Sequence, residues 1–121
     1  MRFLVDTNIL SEPCKKDPNP KVLSKLMAHQ GTLAMAATTW QELLYGVGLM
    51  PPGRRRDFTE TYILGLGEVM EILPYDEEAA RWHADERIRL HDQRPSYEDG
   101  LIAAVAAVNN LIVVTRNVAD F

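Results

Sequence analysis

Asp6, Glu42, Asp99 and Asp120 are far apart in the chain, yet each stands just after a short apolar run or near the start of a helix-like segment. Several carboxylates brought within a few ångströms repel and raise one another's pKa. A divalent cation removes that conflict. Oxygen donors without His or Cys suit hard ions such as Mg2+ or Mn2+. The chemistry such a set best supports is phosphodiester hydrolysis, with a metal-activated water as nucleophile.

The elements around these acids decide whether they can meet. Residues 1–5 form a short apolar run that reads as a buried strand, ended by Asp6-Thr7-Asn8 as a turn or helix cap. Residues 13–20 hold three prolines and read as a loop, followed by a helix over 21–29 that Gly31 stops. Residues 32–37 read as a second strand, and Thr38-Thr39 opens a helix with Glu42 in its first turn. Pro51-Pro52-Gly53 breaks the chain before a helix over 54–66. A strand over 69–73, a charged helix over 76–94, an apolar helix over 97–109 and a strand over 111–115 complete the pattern. Short apolar strands alternating with helices predict an α/β fold, a central parallel sheet with helices on both faces. In such a sheet the strand C-termini and the following helix N-termini share one edge, where ligands bind. Convergence of the acids depends on the strand order, which local spacing does not set.

Taken alone, Asp6, Glu42 and Asp99 are at least as well explained as caps, and Asp120 as a solvated loop acid. Thr39-x-x-Glu42 and Ser96-x-x-Asp99 both have the form of a capping box. His29, His83 and His91 lack metal-site spacing, and His83 and His91 read as surface or helix-face positions on the charged helix. Gly46-Val47-Gly48 reads as a helix ending. Arg54-Arg55-Arg56 reads as a solvated helix start more readily than as an RNA contact, and Arg116 is the better phosphate contact. Trp40, Leu43, Leu44 and Tyr45 exceed what one core stripe needs and suit either packing or an interface.

Three segments carry a resemblance. MRFLVDTNIL, TTWQELLYG and PSYEDGLIAAVAAVNNLIVVTRNVADF resemble the PIN-domain ribonucleases, in particular the VapC-type toxins of bacterial toxin–antitoxin pairs. The likeness covers nearly the whole chain and implies a single PIN domain over 1–121. By motif it implies that Asp6, Glu42 and Asp99 hold Mg2+ or Mn2+. Asn117 and Asp120 both qualify as the fourth ligand, and Asp120 is preferred for its charge. Thr7, Asn8 and Thr115 fall where the family has polar residues around the site, with Arg116 and Asn117 beside them. Glu98 adjoins Asp99, but Asp99 is the one that aligns with the Asp before Leu-Ile-Ala-Ala. The resemblance further implies an RNA substrate, a homodimer, a cognate antitoxin and contact with operator DNA only through that antitoxin. Such toxins usually continue through a short final strand, so the stop at Phe121 suggests a truncated C-terminus.

Composition bounds the reading. The 17 acids against 13 Lys and Arg give a net charge of −4, which argues against a broadly basic nucleic-acid coat or a polybasic membrane anchor. A lone Cys14 excludes an internal disulfide. The apolar run at 101–108 is too short to span a bilayer, and no secretory signal opens the chain, so a cytoplasmic protein is expected. Two rivals stand beside a metal-dependent endoribonuclease toxin. One is a non-catalytic PIN-like scaffold acting in an antitoxin–operator complex, which would not need the carboxylate set. The other is a phosphoacceptor receiver-like domain, which should carry a Lys where Thr115-Arg116 stands.

Overall fold

The structure is a computed structural model that describes residues 1–91 and 96–115. Among the described residues, four parallel strands form one sheet in the order β3-β2-β1-β4: β1 (Phe3–Val5), β2 (Leu33–Ala36), β3 (Glu71–Leu73) and β4 (Ile112–Val114). Six helices connect them: α1 (Thr7–Leu10), α2 (Pro20–Ala28), α3 (Ala37–Leu49), α4 (Arg54–Val69), α5 (Glu77–Arg89) and α6 (Tyr97–Val108). A 3-10 turn, Glu12–Cys14, occupies part of the expected 13–20 loop. The α/β class, the parallel sheet and the helices on both faces are as expected from the sequence.

The two central strands, β1 and β2, are short and wholly apolar because both their faces are covered. Phe3 and Val5 point to one side, where they pack with Ile9, Leu10, Leu43, Val47 and Ile63 of α1, α3 and α4. Leu4 points to the other and packs with Ile102, Val105 and Ala106 of α6. Ala34 and Ala36 are fully buried on this second face, so α6 can lie close to the sheet. The helix that reads as apolar nearly all round, α6, accordingly buries Gly100, Ile102, Ala104, Val105 and Ala106.

Local signals set the ends. Asn19 caps α2 by accepting from the N–H groups of Lys21 and Val22, and Asp76 caps α5 by accepting from that of Ala79. Asn110 adopts a left-handed conformation (φ 56°), which reverses the chain from α6 into β4. Gly46, Val47 and Gly48 lie in the last turn of α3, which ends at Leu49, in line with the helix ending read from the sequence. Glu12, the first residue of the 3-10 turn, is 1% exposed. Its carboxylate accepts from Lys15 Nζ and from the Asn19 N–H, both at 3.2 Å, and so ties the 3-10 turn to the start of α2.

Leu4 is fully buried in a central strand and meets α6 directly. Leu4→Ala should lower the unfolding free energy by about 2–5 kcal/mol, read from urea denaturation; a change near zero would mean that this face of the sheet is not packed as described.

Candidate metal centre

The chain lays β2 and then β3 to one side of β1, and returns to place β4 on the other. The order therefore reverses at β1, and a crevice is expected beyond the carboxyl ends of β1 and β4. The two ends are tied together, because the Asp6 N–H donates to Val114 O at 3.1 Å. Asp6 is the residue where β1 ends and α1 begins. Its Oδ1 accepts from the Ile9 N–H at 3.0 Å, so the expected cap exists and holds the carboxylate at this edge. At the other end of α1, Tyr62 of α4 donates to Leu10 O at 2.7 Å. Burial pushes the Tyr62 hydroxyl pKa well up, which keeps it a neutral donor.

The second acid arrives differently from expectation. β2 passes straight into α3, with Ala36 as the N-cap and no side-chain cap. Glu42 is thus in the second turn of α3, not the first, and the Thr39–Glu42 capping box does not form. Glu42 is exposed. Asp99 reaches the same edge from α6. The C-terminus of α6 turns into the start of β4, so its first turn lies at the opposite, carboxyl edge of the sheet. There Ser96 is the N-cap and accepts from the Asp99 N–H at 3.2 Å. That is one half of the expected capping box, and the Asp99 carboxylate is solvent-facing.

The fold therefore brings Asp6, Glu42 and Asp99 to segments that leave one edge. It does not assemble them into a closed cage: among the described residues, no three His, Cys, Asp or Glu side chains form a metal-holding group. Mg2+ does not need such a cage, since it keeps several waters and takes one or two carboxylates plus substrate oxygens. The hydroxyls of Thr7, Thr38 and Thr39, in the residues that follow β1 and β2, are buried with no hydrogen-bond partner among the described residues, as is that of Thr59 in α4. Leaving a buried hydroxyl unpaired costs about 1–3 kcal/mol. Asn8 is exposed and Thr115 half-buried just beyond β4. Arg116, Asn117 and Asp120 lie outside the described residues.

One residue that the sequence reads as a surface or helix-face position is a structural partner of this edge. His83 of α5 is 5% exposed. Its Nδ1 is 2.8 Å from the Tyr75 hydroxyl, and its ring meets the Tyr75 ring edge-on at 5.8 Å. Its Nε2 faces Gly100, the residue after Asp99, so closely that a Cβ there would collide with the ring. Gly100 is what lets α5 dock on the first turn of α6. Burial, with Arg87 adding to it, holds the His83 imidazole below its ordinary pKa. The signal in the sequence is spacing: His83 lies four residues after the fully buried Ala79, on the same face of α5.

The PIN domain family model matches residues 3–119. The chain belongs to the PIN-domain family. It is 33% identical to the VapC ribonuclease Y4jK of Sinorhizobium fredii over 98% of this chain and 89% of that one. It is 35% identical to the toxin FitB of Neisseria gonorrhoeae, over 98% and 90% respectively. The crystal structure of FitAcB from N. gonorrhoeae superposes with a TM-score of 0.80 at 32% identity, covering 97% of this PIN domain and 89% of that chain.

Gly100→Ala should destabilise the PIN domain by about 1–3 kcal/mol through the clash with His83, and His83→Ala in the same chain should recover part of that stability, as thermal unfolding would show. Additive effects would contradict the clash. The lowered imidazole pKa also sets a sign. The unfolded chain takes up the proton first, so the native state is favoured above pH 6.5 and loses that contribution as pH falls below it. His83→Gln should flatten this part of the stability–pH curve.

Proposed function

We propose that this PIN domain is a divalent-metal-dependent endoribonuclease, the toxin of a toxin–antitoxin pair. The observation that carries the reading is the topology: the strand order reverses at β1, and Asp6, Glu42 and Asp99 stand on segments that leave the same edge of the sheet. The name of the relative Y4jK, a VapC ribonuclease, points the same way. Metal dependence is supported by the donor set, which is carboxylate and hydroxyl oxygen only and suits Mg2+ or Mn2+.

Asp6, Asp99 and Glu42 would hold the ion, with Asp120 completing the set. A bound ion supplies positive charge against the phosphate and lowers the pKa of a bound water. The protein's own contribution is orientation. The Ile9 N–H fixes one oxygen of Asp6, and the Ser96 cap fixes the backbone beneath Asp99. Arg116 and Asn117, directly after Thr115 in the sequence, would meet the substrate.

The partner reading includes a homodimer and an antitoxin. Large apolar side chains are exposed on the outer helices: Tyr45 and Leu49 on α3, Phe58 and Leu64 on α4, Met27 on α2. Exposed apolar area of this kind marks interaction surfaces. Contact with operator DNA would come through the antitoxin, since the domain as a whole carries net negative charge. Among the described residues, no helix is long and apolar enough to cross a membrane.

Labelled RNA incubated with Mn2+ should be cut by the wild-type chain, and Asp6→Asn or Asp99→Asn should each slow the cut by more than about 100-fold. Equal cleavage by wild type and both variants would remove these residues from the site. Absence of cleavage together with absence of Mn2+ binding would favour the scaffold reading.

A further inference from the structure

An acidic chain would be expected to scatter its few cations, yet four of its 13 Lys and Arg line one cleft. This cleft, about 650 Å³, lies between the 3-10 turn and the start of α4, and its charged lining residues are Lys15, Arg54, Arg55 and Arg56. The acids nearby do not cancel this charge. Glu12 is buried and bonded to Lys15, which offsets that one cation. Asp57 is in the first turn of α4 but is not part of the lining.

The arginines are also placed against the preference of their helix. The N-terminus of a helix is its positive end, where cations are disfavoured. Here Gly53 is the N-cap, no side chain caps the helix, and three arginines follow at once. Two of them are held in the cleft wall by single hydrogen bonds: Arg55 donates to Cys14 O at 3.4 Å, and Arg56 to Met50 O at 3.0 Å. A guanidinium has five N–H donors, so most remain for a ligand. An anion with several oxygens would answer the cations and the uncapped N–H groups together.

The cleft is also near the carboxylate edge. α1 has four residues and is therefore about 6 Å long. Asp6 caps one end of it and Ser11 the other, and Ser11 lines the cleft. We propose that this cleft binds backbone phosphates of single-stranded RNA flanking the bond that is cut, with Arg54 and Arg55 as the principal contacts. The proposal rests on the ribonuclease reading above. It divides the labour: the acidic edge works on one phosphate, and a separate basic cleft supplies the affinity that a carboxylate cluster without metal cannot.

The test is RNA binding by the full chain in EDTA, where nothing is cut, followed over a series of KCl concentrations. For a single strand, log K falls with log salt by about 0.7 for every phosphate that the protein neutralises. Arg54→Gln/Arg55→Gln should therefore flatten the slope by about 1.4 and weaken binding about tenfold at low salt. Lys21→Gln/Lys25→Gln, which removes the same charge from α2, should leave the slope as in wild type. An unchanged slope in the arginine variant, or an equal change in the α2 variant, overturns the cleft. Stronger binding of duplex DNA than of RNA, abolished in the arginine variant, overturns the substrate assignment. The parent reading fails separately: wild type that cuts no RNA with Mn2+ contradicts the nuclease, whereas cleavage that persists with an unchanged slope contradicts only the cleft.

Discussion

β1 pairs in parallel with β2 on one side and with β4 on the other, and the positions of Asp6, Glu42 and Asp99 follow from that double pairing. Phe3 aligns with both Leu33 and Ile112, and Leu4 with Ala34 and Val113. With this register the end of β1 meets the end of β4, and the Asp6 N–H is used to join them. A strand buried on both faces cannot slip by one residue without exchanging its core sides, so Asp6 is held firmly at the edge. Glu42 and Asp99 are less constrained. Each sits on an exposed helical face, and each depends on a helix packing onto the sheet.

The packing of α5 on α6 shows how far that dependence extends. Asp99 occupies the first turn of α6, and α6 touches α5 through a glycine against a buried imidazole. The Tyr75 hydroxyl holds the ring from the other side. The carboxyl edge is thus supported by residues with no chemistry of their own to perform. A side chain at position 100 would move either the ring or the helix that carries Asp99.

The apolar runs made the strands and most helices legible, and their alternation made the α/β class legible. The cap at Asp6 was legible too, because Asp-Thr-Asn directly follows an apolar run. Glu42 was placed a turn too early because Thr38-Thr39 resembles a helix opening, while the chain in fact enters α3 directly from Ala36. The burial of His83 is set by partners from elsewhere in the fold, Gly100 and Tyr75. The grouping of Lys15 with Arg54, Arg55 and Arg56 was invisible, since only the fold brings the 3-10 turn to the start of α4.

The net charge of −4 gains a spatial meaning from this arrangement. The acids at the carboxyl edge are suited to recruit cations, and the basic cleft beside α1 is suited to a polyanion. The central claim is that Asp6 and Asp99 share one divalent ion at the edge where the strand order reverses. Anomalous scattering from crystals soaked in Mn2+ measures this directly. A Mn2+ peak bridging the Asp6 and Asp99 carboxylates is the predicted result; a peak bound elsewhere, with both carboxylates unligated, would contradict it.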